Sequence, residues 1–497
     1  MTSVPAPTRD IYRPRIHYTP AKNWMNDPNG LVFHRGVYHL FYQHNPYGPE
    51  WGNMSWGHAT STDLLTWTEQ PVAIQCDDDE AIFSGSAVVD THNTSGLGNG
   101  TTPPMVAVYT SAYTETSQRN GTQAQSLAYS LDEGQTWSKY AGNPVLDRKS
   151  ANFRDPKVFW YDGPAGAYWV MVAVEATEHR VVVYKSPDLL SWEHLSDFTA
   201  DGPAESVWEC PDLFELPIDE DPTRTGWVLI VSVTPGGVAG GSGTRYFIGD
   251  FDGVSFTEAP VTEKTGDGAA GLRGSWLDWG RDNYAAVSFS GLADRRVMIG
   301  WMSNWQYAGS TPTGTWRSAM TLPREISLAT VGGRTRLIQA PIAPTPTLVT
   351  HAADSAGTVL PAGQTSIATL PSGEALRVQV NTMQPAGGVF GLRFRTGDGE
   401  LTSLIVDAAT RELRLDRTAS SVAVHDLFPS IERAPLDLID GRVELEVYVD
   451  ACSIEVFAQG GLATITDLIF PHGGQTEIEF FADAEVPVNQ LELAVLS

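Results

Sequence analysis

The sequence predicts an all-β protein with two domains, an N-terminal five-bladed β-propeller and a C-terminal β-sandwich. Short stretches of β-branched and aromatic residues, separated by Gly, Pro, Asn and Asp, recur along all 497 residues, and helical periodicity is almost absent. A weak internal repeat occupies the first two thirds of the chain. A Pro-, Ala- and Thr-rich stretch follows it, and strand patterning with a period of two then returns.

The repeat predicts the propeller. Each copy has a strand, the pattern Ser-x-Asp and an aromatic residue four or five positions after the Asp, as in GHATSTDLLTW, LAYSLDEGQTW, VVYKSPDLLSW and, with Phe256 for Trp, YFIGDFDGVSF. The pattern starts at positions 61, 130, 186 and 250, so each step can hold a four-stranded antiparallel sheet. Radial repetition of such sheets makes a propeller. We expect the repeat tryptophans, Trp67, Trp137 and Trp192, to pack within blades.

The domain boundaries follow from changes in patterning. Residues 1–338 are predicted to form the propeller, with a fifth blade built around RRVMIGWMSNW and closed by the N-terminal strand. Residues 339–364 lack alternation and are predicted to be a linker. Residues 365–497 contain alternating segments such as ALRVQV and RVELEVYVD, with turns about every 8–12 residues, which predicts a sandwich.

The charge balance argues against several classes of partner. Lys and Arg total 32 against 59 Asp and Glu, and the net charge of −27 disfavours nucleic acid and anionic membranes. Neutral substrates remain, and the 15 Trp and 16 Tyr suit sugar stacking. His44, His58 and His179 lack the spacing of metal ligands, so we expect no catalytic metal.

The N-terminal sequence shows no apolar stretch of the length that a secretory signal needs. The apolar runs WVMVAV and WVLIVSV have the length of strands, far short of a membrane span. We therefore expect a cytoplasmic protein on the sequence as given, and a secreted one if a signal has been trimmed. The oligomeric state is left open between a monomer and a small homo-oligomer.

Three acidic residues in polar segments that interrupt the strand pattern are candidates for catalysis. They are Asp27 in NWMNDPNG, Asp155 in FRDPK and Glu209 in VWECPDLF. The innermost strands of propeller blades converge on the axis, so one acid from each of three blades can meet there. Glycoside hydrolysis needs two carboxyl groups, one that donates a proton and one that stays ionised.

The local sequence predicts a role for each acid. We expect the apolar stretch VWEC to raise the pKa of Glu209, which suits a general acid. Asp27 lies among Asn amides and is expected to stay ionised, as a nucleophile must. Asp155 follows Arg154, and the two are expected to hold sugar hydroxyls. Cys210 is predicted to be a small buried filler rather than a nucleophile.

Five ordered segments, WMNDPNG, FSGS, FRDPK, WECPD and GWMSNWQYA, resemble the motifs of glycoside hydrolase family 32, the β-fructosidases. WGRDNYAAV and NWQYAGSTPTGTWRSAMTLPRE are most similar to bacterial levanases and fungal exo-inulinases. The resemblance implies a retaining mechanism without a cofactor, with Asp27 as nucleophile, Glu209 as general acid/base and Asp155 as transition-state stabiliser. The substrate-binding residues that it implies are Asn26, Gln43, Trp51, Phe83, Ser84, Arg154, Tyr284 and Trp301.

The function that the resemblance implies is release of terminal β-D-fructofuranosyl residues from levan, inulin, fructo-oligosaccharides or sucrose. The sequence leaves open an invertase-type enzyme, a levanbiose-releasing levanase, a fructosyltransferase and a fructan-binding module without turnover. The family usually carries a charged residue and a Ser where this chain has Ala451 and Cys452. We expect that departure to lie outside the catalytic site.

Overall fold

The structure is a computed structural model that describes residues 10–164, 166–260, 275–353, 358–383, 388–397, 399–421 and 424–496. Its regular structure is almost all β-strand, which confirms the predicted class, and the described residues add short 3-10 helices at Ala176–Glu178, Ala308–Ser310 and Gln459–Gly461. No helix in these ranges is long and apolar enough to cross a membrane.

The first three blades are antiparallel sheets whose main strands pair in chain order. Blade 1 contains β1 (Asn23–His34), β2 (Val37–Asn45), β3 (Ser55–Ser61) and β4 (Thr68–Ile74). Blade 2 contains β5 (Glu80–Val89), β6 (Met105–Tyr113), β7 (Gln123–Ser130), β8 (Ser138–Lys139) and β9 (Leu146–Ser150). Blade 3 contains β10 (Phe153–Gly163), β11 (Gly166–Glu175), β12 (Arg180–Ser186) and β13 (Glu193–Thr199).

The last two blades are joined at one bridge between Ile218 and Leu328. Blade 4 contains β14 (Val207–Ile218), β15 (Asp221–Thr234), β16 (Gly243–Phe251), β17 (Phe256–Glu258) and β18 (Ser275–Trp276). Blade 5 contains β19 (Tyr284–Ser288), β20 (Arg296–Met302), β22 (Ala319–Met320), β23 (Arg324–Val331) and β24 (Arg334–Pro341), while the intervening β21 (Trp316–Arg317) pairs with β1.

A closed ring of inner strands establishes the propeller. Among the described residues, β1 contacts β5, β5 contacts β10, β10 contacts β14, β14 contacts β19, and β19 contacts β1. Five blades therefore surround one axis, as predicted. The predicted closure of blade 5 by the N-terminal strand is wrong, because β23 and β24 supply its outer strands and β1 is the inner strand of blade 1.

The sequence repeat is the turn between the third and fourth strands of a blade. In blade 1, Ser61 Oγ donates to Asp63 Oδ1 over 2.9 Å, and the same oxygen accepts the N–H groups of Leu65 and Thr66. The Trp67 indole N–H closes the turn on the carbonyl of Leu64 at 3.0 Å. Equivalent indole bonds form in blades 2 and 3, and the three tryptophans pack against blade cores, which confirms their predicted role: Trp67, Trp137 and Trp192.

The remaining strands form two facing antiparallel sheets around one apolar core, which confirms the sandwich. One sheet contains β25 (Pro346–Ala353), β26 (Thr358–Leu360), β28 (Ala375–Met383), β33 (Arg442–Asp450), β34 (Ser453–Ala458), β35 (Ala463–Leu468) and β37 (Val486–Leu496). The other contains β27 (Gly363–Pro371), β29 (Val389–Thr396), β30 (Glu400–Asp407), β31 (Glu412–Ala419), β32 (Ile431–Pro435) and β36 (Gln475–Ala482).

The segment predicted as a linker, residues 339–364, contains regular structure. β24 extends to Pro341 and completes blade 5, and β25 and β26 both pair with β37, the last strand of the sandwich. These edge strands gain their order from a partner more than a hundred residues away, which local composition does not reveal. The exact domain boundaries remain a prediction.

The two domains share a buried polar interface. The Arg324 guanidinium of blade 5 contacts Asp278 at 3.0 Å and, across the interface, Glu455 at 2.6 Å. His17 lies between Asp450 and Glu455, 2.8 Å from an oxygen of each, and these hydrogen bonds raise the pKa of His17 to about 9 although burial acts in the opposite direction. Cys452 packs in an apolar cluster of this interface that contains none of the three candidate acids.

Arg417→Met is expected to lower the free energy of unfolding by about 3–5 kcal/mol, because it leaves buried hydrogen-bond acceptors without a donor. The fully buried Arg417 guanidinium donates to Asp282 and to the Leu468 carbonyl at 2.8 Å, and to the Tyr307 hydroxyl at 2.9 Å. Thermal and denaturant unfolding measure the loss. Arg433→Met is the matched control, because Arg433 is exposed and its removal should change stability by less than about 1 kcal/mol. Equal losses of stability in the two variants would contradict the stabilising role assigned to Arg417.

Candidate active site

The three candidate acids meet at one end of the propeller axis. Asp27, Asp155 and Glu209 lie near the beginnings of β1, β10 and β14, each the innermost strand of its blade. Ser84 of β5 and Tyr284 of β19 complete the ring from the other two blades. The predicted convergence of the acids is therefore what the fold produces.

Every inner strand has an irregularity at its site residue. The pairing register shifts between Met25 and Pro28, Phe83 and Gly85, Arg154 and Lys157, Glu209 and Asp212, and Tyr284 and Val287. Bulges of this kind bend a strand and re-aim its side chains, and they are common beside active sites. Here they turn the polar side chains toward the axis.

Three non-glycine residues at these bulges have left-handed backbones, with φ of 62° at Asp155, 47° at Cys210 and 53° at Ala285. Such conformations persist only where surrounding contacts hold them. A side chain accepts each N–H group: Thr110 takes that of Asp155 at 2.9 Å, Asp155 takes that of Cys210 at 2.9 Å, and Ser232 takes that of Ala285 at 3.0 Å. The bulges are thus fixed by bonds between neighbouring blades and strands.

One oxygen of Asp27 is anchored and the other is free. The Ser84 hydroxyl donates to Asp27 Oδ2 over 2.7 Å, and the Cys210 thiol lies 3.7 Å from the same atom. Asp27 Oδ1 is enclosed and has no hydrogen-bond partner among the described residues. The expected Asn cage is wrong in part, because the Asn23 amide bonds the Pro46 carbonyl at 2.8 Å instead. The carboxylate is held in place by Ser84.

Both oxygens of Glu209 accept hydrogen bonds. Arg154 Nη2 lies 3.0 Å from Oε1, and the Tyr284 hydroxyl lies 2.5 Å from Oε2. The predicted apolar environment is wrong, because Trp208 packs into the blade core on the opposite face of β14 while Glu209 faces Arg154 and Tyr284. Burial raises the pKa of Tyr284 well above its ordinary value, with a further contribution from Glu209, so the phenol keeps its proton.

Cys210 bridges the two aspartates. Its thiol lies 3.7 Å from Asp27 Oδ2 and 3.8 Å from Asp155 Oδ2, and its N–H group donates to the latter. Burial raises the pKa of the thiol, so it remains protonated and is a poor nucleophile. This agrees with the predicted filler role, and its contacts with both acids are a feature that the sequence did not reveal.

Burial, together with the close approach of the acids, raises two pKa values. Burial and the nearby Glu209 raise that of Asp27, while the Asn26 side chain and the Ser84 hydroxyl oppose the shift. Burial raises that of Asp155 to about 7, with Arg154 opposing and Glu209 adding to the shift. Both pKa shifts are opposite to the expectation from the sequence, which was that Asp27 and Asp155 would stay ionised. A positive partner, Arg154, lies between Asp155 and Glu209.

Asp155→Asn is expected to stabilise the protein above pH 7 and to leave it nearly unchanged at pH 4. An unfolded Asp titrates near pH 4, whereas the native pKa of Asp155 is about 7. Between these values the unfolded chain releases a proton that the native carboxyl keeps, so the wild-type free energy of unfolding falls as pH rises through this window. Asn lacks this titration, and we expect a gain on the order of 2–4 kcal/mol at pH 8. Thermal unfolding at pH 4 and pH 8 tests this, and an equal gain at both would contradict it.

The aromatic residues divide into a buried group and an exposed rim. Trp301 is 0% exposed and packs against Trp24, Trp305 and Tyr284, and its role as a substrate wall stays a prediction. Trp51 is 52% exposed, with its ring edge-on to Phe83 at 6.2 Å between centroids. Trp51 and Phe83 are therefore placed to contact a ligand.

The amides of the predicted set have structural partners. Gln43 donates to the Ile82 carbonyl at 3.0 Å, and Asn26 Oδ1 accepts the indole N–H of Trp24 at 2.7 Å. No group of three or more His, Cys, Asp or Glu side chains within the described ranges is arranged to hold a metal ion. Substrate contacts of these residues, and catalysis without a metal, remain predictions.

Comparison with known protein families shows which family this chain matches. The model of the glycosyl hydrolases family 32 N-terminal domain matches residues 17–341, and that of the family 32 C-terminal domain matches residues 347–495. The chain belongs to glycosyl hydrolase family 32. It is therefore a glycoside hydrolase, and its propeller and sandwich are the two domains of this family.

Individual family 32 members match over most of the chain. A levanase of Bacillus subtilis is 44% identical over 95% of this chain and 68% of its own length. An extracellular exo-inulinase of Aspergillus niger is 42% identical over 93% of this chain and 90% of its own. The crystal structure of an exo-inulinase from Aspergillus awamori superposes with a TM-score of 0.88 at 38% identity, covering 98% of both chains. The predicted likeness to levanases and exo-inulinases is confirmed.

Proposed function

We propose that this family 32 enzyme is a retaining exo-β-fructosidase that releases terminal β-D-fructofuranosyl residues from levan or inulin, from fructo-oligosaccharides and from sucrose. The observation that carries the proposal is the cluster of Asp27, Asp155 and Glu209 at the propeller axis, linked by Cys210 and Arg154. The names of the levanase and exo-inulinase relatives support fructans as the substrate class.

Asp27 is the proposed nucleophile. Ser84 holds Oδ2, and Oδ1 has no competing hydrogen bond among the described residues, so a lone pair is available for the anomeric C2 carbon of the substrate. Attack forms a bond between Asp27 and C2 as the bond from C2 to the leaving oxygen breaks. The product of this step is a fructosyl ester with inverted configuration at C2.

Glu209 is the proposed general acid and base. It protonates the leaving oxygen in the first step and takes a proton from water in the second, which gives fructose with net retention. Arg154 and Tyr284 hold its two oxygens and so fix the direction from which the proton is delivered. In the complex, one Glu209 oxygen carries the proton that is donated to the glycosidic oxygen of the substrate, which accepts it.

Asp155 is the proposed transition-state stabiliser. Positive charge develops on the fructosyl ring as the glycosidic bond breaks, and a carboxylate at bonding distance from ring hydroxyls stabilises it. Arg154, with Nε 3.9 Å from Asp155, favours the ionised form that this role needs. The other residues proposed to bind the fructosyl unit are Asn26, Gln43, Trp51, Phe83, Ser84, Arg154, Tyr284 and Trp301.

Product analysis early in the reaction tests the proposal. Purified protein is incubated separately with levan, inulin, sucrose and short fructo-oligosaccharides, and products are separated by chromatography. We expect fructose as the initial product from both polymers, with relative rates that name the preferred linkage. Levanbiose or an oligomer ladder would contradict exo release of single units. Transfer products without free fructose would assign a fructosyltransferase, and binding without turnover would leave a fructan-binding protein.

A further inference from the structure

Two charged residues in the catalytic segments have no part in the proposed chemistry. Lys157 follows Asp155 by two positions in FRDPK, and Asp212 follows Glu209 by three in VWECPDLF. Lys157 is only 6% exposed, and Asp212 is 0% exposed. A buried charge is strongly destabilising unless it is paired, so their placement calls for a specific role.

Lys157 and Asp212 form an ion pair that connects three blades. Lys157 Nζ lies 3.0 Å from Asp212 Oδ2 and donates to the Ser288 carbonyl over 2.5 Å. The same Asp212 oxygen accepts the N–H group of Ser288 at 2.7 Å. Lys157 lies on β10, Asp212 on β14 and Ser288 on β19, so the contacts tie blades 3, 4 and 5 together at the axis.

These side-chain bonds replace a backbone connection. Within the described part of the chain, β10 and β14 belong to different sheets and share no ladder of backbone hydrogen bonds. The separation between Asp155 and Glu209 therefore depends on side-chain contacts between blades. At the site itself these are the bonds from Arg154 to Glu209 and from Cys210 to Asp155, and the ion pair lies just beyond the bulges that display both acids.

We propose that the Lys157–Asp212 pair is a positioning device that holds Glu209 at the distance from Asp27 and the bound sugar that proton transfer requires. The inference rests on the acid/base role proposed above for Glu209. Asp212 Oδ1 has no hydrogen-bond partner among the described residues, so the carboxylate is hydrogen-bonded only through Oδ2, by Lys157 and Ser288, while the charge of Arg296 also attracts it. Loss of the pair frees β14 to shift, and a displacement of about 1 Å can reduce a rate about 100-fold.

The test compares two leaving groups in the double variant Lys157→Met/Asp212→Asn, which removes both charges and leaves neither one buried alone. Sucrose needs a proton from Glu209 to leave, whereas the fluoride of β-fructosyl fluoride does not. Since kcat/KM reports the first chemical step, we expect it to fall about 100-fold on sucrose and less than about 3-fold on the fluoride. If the double variant does not fold, Asp212→Asn alone should also lose more kcat/KM on sucrose than on the fluoride, with smaller fold-changes.

Two controls separate positioning from stability. Lys139→Met removes an ion-pairing lysine from a partly exposed site and should leave both rates unchanged. Arg417→Met destabilises the domain interface, where Arg417 bonds Asp282 and Tyr307 rather than any of the three acids, and should leave the ratio of the two rates unchanged. An equal loss on both substrates, or no loss, in a folded Lys157 or Asp212 variant would overturn the positioning role. Failure of the wild-type enzyme to release fructose would instead refute the proposed function.

Discussion

Asp27→Asn is expected to reduce kcat on sucrose and on fructans by about 10⁴-fold or more while the fold stays intact. The amide has nearly the same shape and can keep the contact with Ser84, now 2.7 Å from Asp27 Oδ2. It lacks the negative charge and the nucleophilic lone pair that attack on C2 requires. Because burial and Glu209 raise the pKa of the native carboxyl, the variant should be at least as stable as the wild type at neutral pH.

Steady-state kinetics and thermal unfolding measured on the same preparations check this result. Asp188→Asn is the matched control, because Asp188 accepts the N–H groups of Leu190 and Ser191 in a blade turn and lies outside the candidate site. That substitution should leave kcat near the wild-type value. An Asp27→Asn enzyme that kept most of its turnover would remove Asp27 from the chemistry.

Glu209→Ala is expected to reduce kcat/KM on sucrose by about 10²–10⁴-fold, because the leaving oxygen loses its proton donor. On β-fructosyl fluoride the first step needs no acid, and the fructosyl-enzyme should accumulate because its hydrolysis lacks a base. Azide, a nucleophile that needs no deprotonation, should then accelerate turnover and give a fructosyl azide with retained configuration at C2.

Azide rescue is measured by the rate of fluoride release at increasing azide concentration, with the product configuration assigned by NMR. Glu215→Ala is the matched control on the same strand, because Glu215 is exposed and its Oε1 bonds Thr225 at 2.6 Å. Its activity should equal that of the wild type and should not respond to azide. An azide product with inverted configuration would be incompatible with double displacement.

The architecture was predictable because its signals are local. The Ser-x-Asp turn repeats in sequence because blades 1 and 3 use the same hydrogen bonds to join their third and fourth strands, as the paired bonds at Asp63 and Asp188 show, and blade 2 uses a related bond from the Thr136 N–H group to Asp132. The acids were predictable because polar residues that interrupt an apolar strand stand out. Their convergence then follows from the propeller itself.

What the sequence did not reveal depends on tertiary geometry. The bulge at Cys210 turns Glu209 toward Arg154 and Tyr284, which lie 55 and 75 positions away in the chain, so the apolar neighbours in sequence misled the prediction of its environment. The burial of Trp301 depends on Trp24 and Trp305, whose rings pack against it at tilted angles. The strand at Pro346–Ala353 depends on pairing with the end of the chain.

The proposed mechanism predicts a covalent bond between the sugar and Asp27, and trapping that bond tests it most directly. Glu209→Ala enzyme is mixed with β-fructosyl fluoride, denatured rapidly in acid, digested and examined by mass spectrometry. We expect the peptide that contains Asp27 to gain one fructosyl unit, and the double variant Asp27→Asn/Glu209→Ala to gain none. Attachment to another residue, or consumption of the fluoride with release of the inverted sugar and no labelled peptide, would contradict the mechanism.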